Sequence, residues 1–175
     1  MEADGLAALS VRGVAERMGT TTRAVYALFG SKDALVAALG NRAFTMLDGA
    51  LDELPMSADP AADLVEAAVV VFRRLAVEHR SLYRVAVQQI PTSPQVVAGF
   101  LPTAGQAWRH LRRRVARIEE IGVLGSRSID EATLQFHALC EGLAALELRG
   151  LLPAGAEERT WRDAIASLLA GFAVR

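Results

Sequence analysis

Two short amphipathic segments separated by a glycine constrain this chain more than any other feature of its sequence. Apolar residues recur at helical spacing from Val11 to Met18, and Gly19 follows, which tolerates the left-handed conformation of a helix stop. A second amphipathic segment, which Thr21 can cap, extends to Phe29 and ends at Gly30. Two helices joined by such a tight turn form a helix-turn-helix unit, whose second helix projects from the surface.

The residue types at the helix crossing suit close packing, with one face left outside. Small Ala15 lets the second helix cross closely, and Val25 is expected to fill the crossing. Leu28 and Phe29 are expected to point inward with Val25. The outward-facing set is then Thr22, Arg23, Tyr26 and Ala27. No acidic residue occurs between Arg17 and Lys32, so this face would meet a phosphate backbone without repulsion.

The rest of the chain predicts helices and no strand. Ser31 caps a long third helix that runs to Pro55, and a linker rich in Pro, Ser and Asp follows at 56–60. Further helices are predicted over 61–79, 81–90, 93–121, 128–149 and 157–175. The predicted fold class is therefore all-α, with an N-terminal helix-turn-helix head over residues 1–45 and a C-terminal helical bundle over residues 46–175.

Composition narrows the class of protein. The net charge of −1 does not decide whether nucleic acid binds, because local charge matters more than the sum. The single cysteine, Cys140, excludes an internal disulfide. No apolar run approaches the roughly 20 residues of a membrane span, so we expect no membrane association and a cytoplasmic location.

A basic cluster lies on the helix predicted over 93–121. Its members are Arg109, Arg112, Arg113, Arg114 and Arg117. The favoured interpretation is a solvated face balanced by Glu119 and Glu120, and the alternative is a contact with an anionic effector or with phosphate.

The run SVRGVAERMGTTTRAVYALFGSKDAL resembles the DNA-binding signature of the tetracycline-repressor (TetR) family. The resemblance extends from Gly5 to about Phe44. It implies a homodimeric transcription regulator that represses by binding double-stranded operator DNA, is released by a small-molecule effector, and pairs through its last two helices. It implies no cofactor, and the family is not one of enzymes.

Seven residues match positions that contact DNA in that family. Those matching phosphate contacts are Ser10, Tyr26 and Lys32, and those matching the groove or its rim are Arg12, Thr21, Thr22 and Arg23. Ser10 and Thr21 would also serve as helix caps whatever the function. Family members carry a complete first helix before the position of Ser10, whereas nine residues precede it here, so the resemblance implies an incomplete first helix.

The run FHALCEGLAALELRGLLP resembles the next-to-last helix of one TetR subgroup, the Trp-His-Gly type. Gly142 and the Leu-Glu-Leu at 146–148 match, whereas Glu141 stands where His is usual and His137 where Trp is usual. With Gly142 allowing close helix packing, Leu168, Leu169 and Phe172 of the last helix are expected to leave an apolar patch exposed unless a partner chain covers it.

Amphipathic side chains in the bundle are the candidates for an effector cavity. The predicted ligand-binding set is Tyr83, Gln88, Phe100, Trp108, Phe136, His137 and Cys140. Ordinary core packing is the alternative interpretation for each of them.

Two other functions stay open at this point. One is a dimeric ligand-binding protein whose head does not bind DNA. The other is a metal-dependent helical enzyme that uses His137, Cys140 and Glu141, although one helix supplies too few ligands for a complete site. Because no catalytic constellation is recognisable, we expect neither enzymatic activity nor a metal.

Overall fold

Helices form all the regular structure in the part of the chain that this computed structural model describes, residues 11–88 and 94–173. The head and the long connecting helix comprise α1 (Val11–Arg17), α2 (Thr22–Phe29) and α3 (Lys32–Glu53). Next come α4 (Pro60–Glu66), a first π-helical stretch (Ala67–Arg73), α5 (Arg74–Glu78), α6 (Arg80–Tyr83) and a second π-helical stretch (Arg84–Gln88). The chain then forms α7 (Pro94–Glu120), α8 (Ile129–Leu148) and α9 (Glu157–Phe172). The predicted all-α class is confirmed.

Local capping chemistry sets the helix starts that the sequence predicts. The hydroxyl of Thr21 accepts a hydrogen bond from the Ala24 N–H at 3.2 Å, and that of Ser31 accepts one from the Ala34 N–H at 3.0 Å. Ser128 and Glu131 form both bonds of a capping box at the start of α8. Each cap satisfies backbone donors that the first helical turn leaves without partners.

Two separate apolar clusters divide the described residues. The smaller cluster, in the head, consists of Val11, Ala15, Val25 and Leu35, with Val14, Phe29 and Leu39 packed against it. The larger cluster, in the bundle, extends along the chain from Leu47 to Phe172. Helix α3 contributes Leu35 to the first cluster and Leu47 and Leu51 to the second, so one continuous helix joins the two.

Buried charges fix the C-terminal end of α3 against α7. Arg114 is 1% exposed and donates to the carbonyl oxygens of Leu51, at 2.7 Å, and Leu54. These carbonyls are among those that the last turn of a helix leaves unpaired, and a cation there is also favoured by the helix dipole. The prediction of a solvated arginine face is therefore wrong for Arg114, because its guanidinium occupies the end of another helix.

A neighbouring ion pair closes the linker between α3 and α4. The Asp63 carboxylate is buried and pairs with Arg117. Its two oxygens share the Ser57 N–H, with the nitrogen 3.0 Å from Oδ1 and 2.9 Å from Oδ2. Burial alone would raise the pKa of Asp63, but the hydrogen bonds from Ser57 and Arg117 together outweigh it and hold that pKa below its usual value.

Helix α7 continues through Pro102, where a kink is expected. Proline has no N–H to donate to the preceding turn. Beside it, the Asn41 side chain of α3 donates to the Gly99 carbonyl at 2.9 Å and accepts from the Thr103 hydroxyl at 2.5 Å. Helix α3 thus bonds through one side chain to two residues of α7 near the proline, Gly99 and Thr103.

Three predictions about apolar exposure are wrong. Leu28 is 69% exposed, because Val25 and Phe29, four residues apart, already define the inward face of α2. Met18 is exposed because α1 ends at Arg17. Leu169 and Phe172 are 4% and 2% exposed within the single chain, and Leu168 packs against the same core, so no partner is needed to cover them.

None of the described helices combines the length and the apolar character that a membrane span requires.

Candidate nucleic-acid interface

The head holds α2 by one face and leaves the other in solvent. Val25 and Ala15, 1% and 2% exposed, fill the crossing between α2 and α1 as predicted. On the opposite side the expected set is exposed: Thr22, Arg23, Tyr26 and Ala27. The helix therefore presents a hydroxyl, a guanidinium and a phenol on one open surface.

The N-terminal end of α2 carries no opposing charge. Its first turn contains no acidic residue, and Thr21 uses its hydroxyl to cap the helix. The partial positive charge of a helix N-terminus favours anions, so this end is electrostatically suited to a phosphate.

Basic residues outnumber acidic ones in the head. Residues 11–42 carry five basic side chains against two acidic ones, a net charge of +3, and Glu2 and Asp4 reduce it to +1 over residues 1–45. Lys32, at the first position of α3, is exposed. Arg12 is also exposed, and its Nε lies 3.1 Å from Glu16 Oε1 on the same helix. An exposed pair of this kind contributes little to stability, so Arg12 can exchange its partner for a phosphate at little cost.

Of the seven predicted DNA-contacting residues, six lie on the exposed surface of the head. They are Arg12, Thr21, Thr22, Arg23, Tyr26 and Lys32. Ser10 lies outside the described residues. DNA contact by each of the seven stays a prediction.

A small cavity in the bundle brings together three residues of the predicted ligand-binding set. Tyr83, His137 and Cys140 line an inner cavity of about 20 Å³, which is room for one water molecule. Phe136 is buried in the core and does not line it, and Trp108 packs edge-on against His137 with ring centroids 5.7 Å apart. The side chains of Gln88 and Phe100 lie outside the described part of the structure.

The contribution of α3 to the lining of this cavity was not predicted from the sequence. Ala43, Phe44 and Leu47 of α3 line it together with Phe72 and Leu75. These residues read as ordinary apolar core positions, and no local pattern distinguishes a cavity wall from a filled core. The helix that begins at the head therefore also borders the inner cavity.

The ionisable groups of the inner cavity are neutral or paired. His137 Nε2 lies 2.8 Å from Glu141 Oε1, one helical turn away on α8. Burial, reinforced by the charge of Glu141, raises the pKa of the Tyr83 phenol and of the Cys140 thiol, so both stay protonated. Among the described residues, no group of three or more His, Cys, Asp or Glu side chains is placed to hold a metal ion.

The head resembles a known protein family in sequence. Residues 1–39 match the family model described as "Bacterial regulatory proteins, tetR family". The head resembles that of tetR-family regulatory proteins. The match includes α1, α2 and the first turns of α3, so the exposed face of α2 lies within the matched region.

Solved structures extend the likeness to the whole fold. A protein of unknown function from Rhodococcus sp. RHA1 superposes with a TM-score of 0.78 at 22% identity, covering 97% of this chain and 88% of that one. The TetR family transcriptional regulator PfmR from Thermus thermophilus gives 0.65 at 23% identity, covering 91% and 87%. Head and bundle together therefore have the fold of these proteins. No curated protein matches the chain.

Proposed function

We propose that this chain is a TetR-family transcriptional regulator that binds operator DNA as a homodimer and acts as a repressor by occluding a promoter. The observation that carries the proposal is the exposed face of α2, free of acidic residues, in a head that matches the tetR family model. The net charge of +3 over residues 11–42 contributes to the non-specific attraction to phosphates that any such protein needs.

In this proposal α2 enters the major groove. Thr22 and Arg23, near its N-terminus, reach base edges, and an arginine fork suits the two acceptors of guanine. Tyr26 and Lys32 contact phosphates and fix the position of the head on the duplex.

Dimerisation is proposed through α8 and α9. Their solvent-facing surfaces carry small side chains: Ala138 and Gly142 on α8, and Ala166 and Ala170 on α9. A Cβ added at Gly142 would meet no atom within 4 Å, so this surface is open in the single chain. Small residues allow two helices of a second copy to approach closely around a two-fold axis.

Release from DNA is proposed to follow effector binding in the bundle. A ligand that prefers one arrangement of the helices shifts the population toward that arrangement. Because α3 borders the inner cavity and also carries Leu35 of the head core, its movement changes the separation of the two heads of a dimer.

The test begins with selection of bound sequences from random duplex DNA by the full chain, followed by fluorescence anisotropy with the selected site. Replacing Arg23 and Tyr26 together by alanine is expected to weaken binding at least tenfold at a fixed salt concentration, because each contact contributes about 1–3 kcal/mol. The matched control is Arg80→Ala, an exposed arginine on α6 outside the head. Unchanged affinity in the double variant, or failure to select any sequence, would overturn the proposal.

A further inference from the structure

An open groove lies on the surface between α3 and the helical segment from the first π-helical stretch to α5. Its volume is about 250 Å³, far more than that of the inner cavity. Residues of α3 on its wall are Met46, Leu47 and Ala50, and those opposite are Val70, Val71, Arg74, Leu75, Glu78 and His79.

The groove and the inner cavity share two lining residues, Leu47 and Leu75. Both spaces run along α3, with Ala50 on the groove side and Ala43 on the cavity side. Two leucine side chains therefore border both the wide groove and the smaller, less open cavity. Rotamer changes of such side chains are fast and need no backbone break.

The two spaces differ in polarity. The inner cavity has a wholly apolar accessible lining, whereas the rim of the groove carries the exposed pair of Arg74 and Glu78, with Nε and Oε1 3.0 Å apart, and exposed His79. Water therefore solvates a polar group at the rim and is excluded further in. The first π-helical stretch places Val70 and Val71 in the groove and Phe72 in the cavity, and π-helical segments frequently occur at functional sites.

We propose that the effector is an amphipathic small molecule that lies in the groove and inserts a narrow apolar chain between Leu47 and Leu75 into the inner cavity. Its polar end stays in water beside Arg74, Glu78 and His79. This proposal rests on the proposed function, since it names the chemical class of the effector. Because the cavity holds about one water molecule, the inserted chain must displace Leu47, and so α3, to gain room.

The probe is a series of straight-chain primary alcohols from butanol to decanol, titrated into the full chain by calorimetry without DNA. Affinity is expected to rise about fourfold for each added methylene group until the inner cavity is full, as burial of about 0.8 kcal/mol per methylene requires. The heat capacity change on binding should be negative.

Two variants fill the inner cavity. Ala144→Leu and Ala86→Leu add volume from two different elements, α8 and the second π-helical stretch. Ala86 is only partly buried, which keeps the test valid if the first variant fails to fold. Each is expected to end the rise in affinity at a shorter alcohol. The matched control, Ala62→Leu, lies exposed on α4, lines neither space, and should keep the wild-type series.

An affinity that does not depend on the length of the alcohol would overturn the inference. So would a length dependence in Ala144→Leu and Ala86→Leu equal to that of the wild type. Anisotropy with the selected DNA separates this result from failure of the proposed function. If affinity rises along the alcohol series but no DNA binds, the proposed regulator function is refuted and the effector site stands. If DNA binds but affinity does not change with alcohol length, the effector site is refuted and the regulator function stands.

Discussion

The head and the bundle of this chain use their charged side chains in opposite ways. In the head, Arg23 and Lys32 are exposed on a small domain with four buried apolar residues. In the bundle, Arg114 is buried against helix carbonyls, and Asp63 is buried against Ser57 and Arg117. Charged side chains that face solvent are available to a ligand. Buried charged side chains instead bond to neighbouring groups and hold a helix in position. Charged side chains are therefore left accessible to a ligand in one region and hold α3 in position in the other.

The largest expected effect is in the bundle. Arg114→Leu removes the donor to the Leu51 and Leu54 carbonyls and leaves the nearby Asp63 with less compensation. We expect the free energy of unfolding to fall by about 3–5 kcal/mol, as for other broken buried charge networks. Urea denaturation measures this free energy of unfolding. The control is Arg113→Ala, at an exposed neighbouring position, where a change within about 0.5 kcal/mol is expected. Equal effects of the two would mean that the buried guanidinium does not fix α3.

A smaller effect with a defined pH dependence is expected at Asp63. Because its folded-state pKa is lowered, its contribution to stability is present above its unfolded-state pKa and is lost as pH falls through the folded-state value. Asp63→Asn should cost about 1.5–3 kcal/mol at neutral pH, where the bonds to Ser57 and Arg117 are charge-assisted. The difference from the wild type should shrink below about pH 4. A difference constant from pH 7 to the acid limit would contradict this assignment.

Within the head, Val25→Ala tests the small core that holds α2. Loss of two buried methyl groups is expected to cost about 2 kcal/mol, confined to the head because its cluster is separate from that of the bundle. Amide hydrogen exchange should accelerate in α1 and α2 and stay unchanged in α8. The control is Leu28→Ala, at an exposed position of α2. It should change neither the stability of the head nor the exchange rates in α1 and α2.

The smallest expected effect concerns the contact of α3 with α7. Asn41→Asp keeps the acceptor for Thr103 but loses the donor to the Gly99 carbonyl, and about 1 kcal/mol of stability should be lost. Asn41→Ala removes both bonds and should lose more. Thermal unfolding distinguishes the two: a wild-type midpoint in Asn41→Asp would show that the bond to Gly99 contributes nothing, and identical midpoints in the two variants would show the same for the bond from Thr103.

The two regions also differ in how far the sequence predicts them. The helix caps at Thr21, Ser31 and Ser128 and the crossing at Val25 were predictable, because each depends on residues a few positions apart. Burial of Arg114 and Phe172 was not, since it depends on which helix packs against which. The π-helical stretches were predicted as ordinary helices because they are only seven and five residues long, too short for their wider period to show in the apolar spacing.

The interface and the cavity show the same contrast. The outward face of α2 follows from helical periodicity alone, apart from Leu28 at its margin. The inner cavity joins α3 to α8, about a hundred residues further along the chain, and no spacing rule relates Ala43 to Cys140. Three of the seven predicted residues reach it because amphipathic side chains suit cavity walls in general.

Because α3 is continuous, a small rotation at its bundle end produces a larger displacement at its head end. From Leu47 to Lys32 the helix is about 23 Å long at 1.5 Å per residue, and a rotation of about 8° about the leucine end displaces the other end by about 3 Å. The rise of one base pair is about 3.4 Å. In the proposed regulator, a rotation of this size would shift a head by nearly one base pair along the duplex, so a small rearrangement at Leu47 would suffice to weaken DNA binding.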